Sequence, residues 1–352
     1  MASPQQTSPP VQIWRKQSAS ADVSQSTADS VTVVICAHRD SRWQSLLRTV
    51  RSLRVQCRLP EQCIVVIDHN DQLLRRAQVS LPDDVEVLAS EERRGLSGAR
   101  NTGVRASRSD IVAFLDDDAE ADPGWVGGLL AQYSDPLVVG AGSQVVAVWP
   151  RNRPAWLPTE FDWVVGCSYP GLPQTVRPVH KLTGPAISFR RLLFDQLGTF
   201  DTEMGQLGDL PLGREESEFA LRIRRSLSRA KLVHVPTAIV RHHLGPERVR
   251  IAYYVRRCYS EGTSRAVLNR RAGGGASRAI SWEYVPSTLS SGVWHGLRDG
   301  FQGDTTGFAR SAMILVGLLA MTGGYLAGLG SSRSGSHPPP QLVLAASGGR
   351  SR

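Results

Sequence analysis

Three consecutive aspartates, Asp116 to Asp118, directly follow the short apolar segment Ile111–Leu115. Three carboxylates at the end of a buried strand repel one another unless a cation or ordered donors compensate their charge. Carboxylate oxygens suit Mg²⁺ or Mn²⁺, and substrate phosphates usually complete the coordination of such ions. The triplet therefore indicates a divalent metal site for a phosphorylated substrate, with a solvated acidic turn as the ordinary alternative.

Polar residues also follow two earlier apolar segments. His38 comes after Val31–Ala37, and Asp68 comes after Cys63–Ile67. Such nearly continuous apolar runs are typical of strands buried on both faces of a parallel sheet, and segments of helical periodicity separate them. This order predicts an α/β fold, a doubly wound, mostly parallel sheet with helices on both faces. Ligands of such sheets bind at the carboxyl ends of the strands, so we expect these polar groups to share one site.

A segment rich in arginine and glycine, residues 93–103, precedes the aspartate strand. Glycines let the backbone approach a ligand closely, and arginines such as Arg100 can hold phosphate or carboxylate through paired donors. The segment has neither the spacing of a P-loop nor that of a dinucleotide-binding turn. A phosphate-hydrolysing NTPase and a dehydrogenase are therefore not favoured.

Taken in order, these segments resemble the family 2 glycosyltransferases, which have the GT-A fold. The similarity covers residues 31 to about 245 and includes a D-x-D region, an acceptor-side segment, a G-x-F-D turn and a G-x-E-D-x-D-L-x-x-R motif. The matching stretches are VTVVICAHRD (31–40), IVVIDHND (64–71), SGARNTGVRAS (97–107), FLDDDAEADPGW (114–125), TGPAISFR (183–190), GTFD (198–201) and GREESEFALR (213–222).

The resemblance implies a role for individual residues. The nucleotide sugar would be bound by Ala37, His38, Asp68, Arg100, Asn101, Asp116 and Asp117. A Mg²⁺ or Mn²⁺ ion bridging its diphosphate would be held by Asp116, Asp118 and His242, the last of which follows the strand-like segment Val233–Val240. A histidine in that position is more often structural than a ligand.

The second acid of the last motif is the usual general base of the family, which implies Glu216 in that role. This sequence has Glu where Asp is usual, so the resemblance leaves open whether Glu215 or Glu216 accepts the proton. The ordinary alternative is that these acids only complement the dipole at a helix N-terminus.

The implied reaction is transfer of a sugar from a nucleotide-activated donor to a hydroxyl of a glycan, a lipid-linked molecule or a small molecule. One direct displacement would invert the anomeric configuration, and a carboxylate base would deprotonate the acceptor. Two other function classes remain open at this point. The same acids and arginines could serve a metal-dependent phosphotransferase or nucleotidyltransferase, or the fold could carry a binding protein without activity.

Composition, together with the extent of the family resemblance, divides the chain into five regions. The 352 residues are 41% apolar, which supports a sizeable packed core. We expect a disordered lead-in over 1–29, a glycosyltransferase domain over 31–245, a basic helical extension over 246–308, a hydrophobic membrane-associated helix over 309–330 and a flexible tail over 331–352. The net charge of +9 comes mostly from scattered arginines, so no nucleic-acid partner is expected.

The segment Ser311–Gly330 has no charged residue and is about long enough to cross a bilayer. Between positions 241 and 271, eight arginines stand against only Glu247 and Glu261, which favours an anionic lipid surface. Trp282, Trp294 and Phe301 could anchor the chain at the interface or pack in a core. We therefore expect the cytoplasmic membrane, with the catalytic domain facing the cytoplasm where nucleotide sugars are made; a buried helix is the alternative.

Overall fold

The computed structural model describes residues 30–182, 184–203, 215–271 and 285–330. Its centre is one curled, mixed sheet with the strand order β3-β2-β1-β4-β8-β6-β9-β5, and β7 pairs with β9. The strands are β1 (Val31–Ala37), β2 (Gln62–Ile67), β3 (Val85–Ala89), β4 (Ile111–Asp116), β5 (Ala119–Ala121), β6 (Val138–Val148), β7 (Arg177–Val179), β8 (Ala186–Arg190) and β9 (Lys231–His243).

The first half of the sheet is parallel and confirms the doubly wound α/β prediction. Strand β1 lies between β2 and β4 and runs parallel to both. Its side chains alternate between two cores, since Val33 and Ile35 enter one apolar cluster and Val34 enters the other. Both faces of the strand are therefore buried, which explains why its sequence is an almost continuous apolar run.

Helices cover both faces of the sheet. They are α1 (Trp43–Arg54), α2 (Asp71–Ser80), α3 (Leu96–Ala106), α4 (Trp125–Leu130), α5 (Leu192–Leu197), α6 (Glu215–Ser226), α7 (Ile251–Arg271), α8 (Val285–Phe301) and α9 (Thr306–Gly330). Helices α1, α2 and α4 bury apolar side chains in the first cluster, and α3, α5 and α6 bury theirs in the second. Because helices cover both faces of the sheet, the polar residues that follow the strands lie at the edge where the strands end.

The second half of the sheet adds antiparallel strands that apolar patterning did not distinguish from parallel ones. Strand β8 runs antiparallel to β4, and the short β5 runs antiparallel to β9. In the second pair, Ala119 lies opposite His242. Because Ala119 directly follows Asp118, this pairing brings the end of β9 to the aspartate triplet.

Helices α7, α8 and α9 follow the sheet. Among the described residues, α9 alone is long and apolar enough to cross a membrane, with a mean hydropathy of 1.8 over its most apolar window and a third of that window buried. The helix begins five residues before the charge-free segment recognised in the sequence. The lead-in 1–29, Thr183, the motif residues Gly213 and Arg214, Trp282 and the tail 331–352 lie outside the described residues.

Helix α3 approaches β1 through a glycine, and this contact generates a prediction. A Cβ atom on Gly103 would stand 2.3 Å from Cγ1 of Val34, whereas a Cβ on Gly127 of α4 would meet nothing within 4 Å. We expect Gly103→Ala to lower the free energy of unfolding, because overpacking costs about 1–3 kcal/mol and exceeds the gain in helix propensity. The measurement is denaturant unfolding.

The matched control for this prediction is Gly127→Ala, which makes the same change in a helix that has room for it. It should leave stability unchanged or raise it slightly. Equal stability of the two variants would show that α3 can move away from β1 without loss of packing.

Candidate active site

The ends of β1 and β2 are joined to the glycine-rich segment through Asp68. The backbone N–H of Asp68 donates to the carbonyl of Ala37 over 2.8 Å. The N–H of Gly95 donates to the Asp68 carboxylate, at 3.0 Å from Oδ2 and 3.2 Å from Oδ1. Gly95 has a φ of 132°, a conformation that favours glycine. His38 lies exposed beside this junction, where its Nε2 accepts a hydrogen bond from Arg39.

Arg100 of α3 lies buried between two acidic groups. Its Nη1 is 2.8 Å from Oε1 of Glu215, and its Nη2 is 3.5 Å from Oδ1 of Asp116. The residue is only 3% exposed and its guanidinium lies near the rings of Phe114 and Phe200. Burial opposes the charge, but the neighbouring carboxylates outweigh it and raise the pKa of Arg100 above its ordinary value. One fixed cation therefore connects the start of α6 to the end of β4.

Asn101, the next residue, is engaged with the backbone. Its Nδ2 donates to the carbonyl of Phe200 over 2.9 Å, and its Oδ1 accepts from the N–H of the same residue over 2.9 Å. Nδ2 also lies 3.1 Å from Oε2 of Glu92. Asn101 thus fixes the G-T-F-D turn, and donor contact by this residue stays a prediction.

Asp117, the middle aspartate, is buried against α1. Arg42 donates from Nη1 to Oδ1 of Asp117 over 2.8 Å. Burial raises the pKa of Asp117 to about 6, although the Arg42 charge opposes this shift. Its second oxygen, Oδ2, has no hydrogen-bond partner in the described structure. Arg42 therefore compensates the aspartate triplet from the side of α1, and the sequence analysis did not single out this arginine.

Asp118 and His242 meet where β5 pairs with β9. Oδ1 of Asp118 lies 3.2 Å from Nε2 of His242, and Nη1 of Arg248 lies 3.1 Å from the same nitrogen. Burial raises the pKa of Asp118, but the His242 imidazole and the charges of Arg248 and Arg42 outweigh it and hold this pKa well below its ordinary range. Asp118 is therefore a carboxylate whose negative charge is strongly stabilised by its surroundings.

The donor atoms of Asp118 and His242 fit a divalent cation. The role of Nε2 depends on the tautomer of His242, since this nitrogen donates to Asp118 in one and accepts from Arg248 in the other. In the second tautomer two acceptor atoms face each other. Oδ1 of Asp118 is buried and forms no hydrogen bond of ordinary geometry. Oxygen and imidazole donors of this kind suit Mn²⁺, and substrate phosphates would complete its coordination. The arrangement thus fits a metal ion held jointly with a diphosphate.

The third predicted ligand, Asp116, faces Arg100 rather than this pair. In the part of the chain that the structure describes, no group of three or more His, Cys, Asp or Glu side chains is arranged to hold a metal ion. Asp118 and His242 are therefore the two predicted ligands that the fold brings together, and metal coordination by Asp116 stays a prediction.

The two acids at the start of α6 differ in environment. Glu215 is 1% exposed and is paired with Arg100, whereas Glu216 is only half-buried. The negative charge of Glu216 also helps to raise the pKa of Arg100. Glu215 is therefore bound into the protein, and Glu216 is the more accessible of the two carboxylates.

An open cavity of about 430 Å³ lies beside Asp118. Three arginines line it, Arg39, Arg42 and Arg48, together with Trp149 and His243. A concave site with these cations suits an anionic ligand. Arg42 could have been suspected from its position after β1, but Arg248 gave no signal, because it is 130 residues from Asp118 and reaches it only through the fold.

The sequence profile of Glycosyl transferase family 2 matches residues 32–198. A glucosyl-dolichyl phosphate glucuronosyltransferase of Haloferax volcanii is 32% identical over 242 residues, which cover 68% of this chain and 77% of the relative.

Two solved structures share the GT-A fold at 17% identity. A mannosyltransferase of Pyrobaculum calidifontis in complex with GDP-Man and Mn²⁺ has a TM-score of 0.53 and covers 84% of this chain and 87% of its own. GalNAc-T7 with UDP, GalNAc and Mn²⁺ has a TM-score of 0.51 and covers 76% of this chain, but only 58% of its own. The extent and identity of the Haloferax match, together with the family profile, show that this chain belongs to glycosyltransferase family 2.

Proposed function

We propose that the protein transfers a sugar from a nucleotide-activated donor to an acceptor hydroxyl in one displacement, with inversion at the anomeric carbon. The observation that carries this proposal is the buried Arg100, which holds Glu215 and Asp116 at one site. The start of α6, which carries the proposed base, is thereby fixed beside the end of β4, which leads to the proposed metal ligand Asp118. Attack and departure at one carbon require groups on two sides of the sugar, and α6 and β4 would supply them.

The donor nucleotide would bind at the ends of β1 and β2. The Asp68 carboxylate is bonded to the N–H of Gly95 and lies 2.9 Å from Nδ1 of His69. It would also accept from hydroxyl groups of the nucleotide, and Ala37 and His38 lie beside it. The diphosphate would enter beside Asp118, where Arg39, Arg42 and Arg48 line the cavity. These cations offset the charge that the leaving diphosphate develops. Asp116 and Asp117 would line the part of the site between the ribose and the phosphates.

Asp118 and His242 would hold a divalent cation, Mn²⁺ or Mg²⁺. When bound, such an ion stabilises the negative charge of the departing nucleoside diphosphate. The residues themselves supply an ionised carboxylate and an imidazole nitrogen at 3.2 Å from each other. The Mn²⁺ ions named with the two solved structures support this assignment.

Glu216 is the residue that we assign as general base. It is half-buried at the first turn of α6, whereas Glu215 is committed to Arg100. A base needs access to the acceptor hydroxyl, and a carboxylate that neutralises a buried arginine is a poor proton acceptor. Glu215 is then a positioning residue that keeps Arg100 charged and in place.

The acceptor would be a glycan or a lipid-linked molecule. Two observations support a lipid-linked acceptor, the apolar helix α9 and the dolichyl phosphate in the name of the Haloferax relative. We assign the catalytic domain to the cytoplasmic side of a membrane, since nucleotide sugars are cytosolic. Analysis of products separates this function from its alternative, because a nucleotidyltransferase would release pyrophosphate and a glycosyltransferase releases a nucleoside diphosphate.

Metal and nucleotide should bind cooperatively through Asp118. In the unaltered protein, we expect Mn²⁺ to raise the affinity for a nucleoside diphosphate by about tenfold or more, because each completes the coordination of the other. Asp118→Asn should abolish this coupling. Calorimetric titration of nucleotide with and without Mn²⁺ measures it.

The control for this titration is Asp122→Asn, a matched change at a carboxylate that pairs with Arg241 outside the site. It should keep the full coupling. A nucleotide affinity that is indifferent to Mn²⁺ in the unaltered protein would contradict the metal assignment.

Replacement of the base should reduce turnover without loss of donor binding. Glu216→Gln keeps the size and removes the proton acceptor, so we expect kcat to fall by roughly 10² or more while donor affinity stays nearly constant. Steady-state kinetics and donor titration measure the two effects. Glu218→Gln, a change on the same helix at a residue paired with Arg222, is the control and should leave kcat nearly unaltered.

Glu215→Gln should act differently, since it leaves Arg100 without its closest carboxylate. Its main effect should be a lower melting temperature rather than a lower kcat. A larger loss of kcat in Glu215→Gln than in Glu216→Gln would assign the base to Glu215.

A further inference from the structure

One face of α9 is exposed over most of its length in the described structure. Phe308, Leu315, Val316, Leu319, Leu326 and Leu329 are all exposed on it, Leu319 by 72% and Leu326 by 62%. These positions repeat at helical spacing from 308 to 329, in a helix of 25 residues that is about 37 Å long. Such a long apolar stripe on the surface is typical of a contact with a membrane or with another protein.

The opposite face of α9 packs along the whole of α7. Hydrogen bonds join Tyr254 to Met313, Thr263 to Gly324, Asn269 to Tyr325, and Arg270 to Leu329. The residue numbers of the partners rise together along both helices, so α7 and α9 are parallel and paired over most of their length.

Glycines make this pairing close. A Cβ atom on Gly262 would stand 1.9 Å from the carbonyl oxygen of Met321, and one on Gly324 would stand 2.0 Å from that of Tyr259. The backbones of α7 and α9 are therefore in direct contact, and neither helix can reorient without the other.

Helix α7 is not suited to the interior of a bilayer. It carries the ion pair between Glu261 and Arg265, at 3.0 Å, and the exposed arginines Arg256 and Arg270. It is also anchored to the catalytic domain, since Tyr254 lies against Phe161 with ring centroids 5.4 Å apart. If α9 crossed the membrane, these charges would enter the hydrocarbon core, where charged side chains are strongly disfavoured.

We infer that α9 lies in the plane of an anionic membrane surface, with its apolar face in the lipid and α7 on the aqueous side. Exposed aromatic residues continue this face at one end, where Phe301 of α8 contacts Phe308 at 5.2 Å between ring centroids and Trp294 is also exposed. Aromatic residues beside an apolar helical face are typical of interfacial helices.

Charge distinguishes the lipid surface from a second copy of the chain. Of the eight arginines between positions 241 and 271, Arg241, Arg248 and Arg265 pair with acidic residues of the fold. Arg250, Arg256 and Arg270 are exposed in or beside α7. An anionic lipid surface complements this charge, whereas a second copy would bring the same excess of positive charge to the interface. The surface is separate from the residues assigned to transfer, so failure of one assignment leaves the other intact.

The first test measures binding of the full chain to vesicles. Sedimentation with vesicles of phosphatidylcholine and phosphatidylglycerol should carry the protein down, and vesicles of phosphatidylcholine alone should bind it more weakly. The double variant Leu319→Glu, Leu326→Glu should lose about tenfold or more of the vesicle affinity. Both side chains are exposed, so its melting temperature should not change.

Val79→Glu is the matched control, because Val79 is an apolar residue of α2 that is 87% exposed. It should bind vesicles like the unaltered chain. Equal binding of all three proteins would overturn the inference. A second result would also overturn it: the unaltered chain is a dimer in light scattering and does not bind vesicles, and the double variant is a monomer.

The second test separates an in-plane helix from a crossing one. Thr305→Cys and Gly330→Cys place a thiol at each end of α9, in a chain whose exposed Cys57 is replaced by serine. Inverted membrane vesicles from expressing cells are treated with a membrane-impermeant maleimide. Labelling of both positions supports the in-plane arrangement. Labelling of only one of them would show that α9 crosses the bilayer.

Discussion

The site depends on one buried interaction, in which Arg100 lies between Glu215 and Asp116. Two buried carboxylates repel each other unless a cation or a shared proton separates them, and a buried cation is stabilised by the carboxylates around it. Arg100 therefore lowers the free-energy cost of burying the two carboxylates, and the carboxylates lower the cost of burying Arg100. The start of α6, the end of β4 and helix α3 are held together by this requirement, and Asn101 extends it to the turn at Phe200.

The same principle operates around the other two aspartates. Arg42 approaches Asp117 and Asp118 from the turn just before α1, and Arg248 approaches Asp118 and His242 from the segment after β9. These arginines stabilise the acidic cluster in the protein without ligands. They also stand where an anionic substrate would need donors, so the groups that stabilise the free site are suited to bind the diphosphate of a donor.

The catalytic sheet and the C-terminal helices form a continuous structure. Phe161 contacts Tyr254 of α7, and Gly317 of α9 lies against both rings. A membrane-bound position of α9 would thus fix the distance and orientation of the active site relative to the lipid surface. An acceptor attached to a lipid could then be presented to the site at a defined height, which a mobile anchor would not provide.

The sequence by itself determined the elements and the chemistry of their ends. Val31–Ala37 was predicted as a strand with its observed bounds, and the predicted segments Cys63–Ile67 and Ile111–Leu115 each differ from the observed strand by one residue. Burial on both faces requires an uninterrupted apolar run, which makes such strands recognisable. The order of the motifs indicated the family.

Tertiary structure decided which polar groups meet. Asp118 reaches His242 only through antiparallel pairing of β5 with β9, and local patterning carries no information on strand direction. Tertiary structure also decided that α9 packs against the charged helix α7. The apolarity of a helix can be read from its own sequence, but the helix it packs against depends on contacts between residues far apart in the chain.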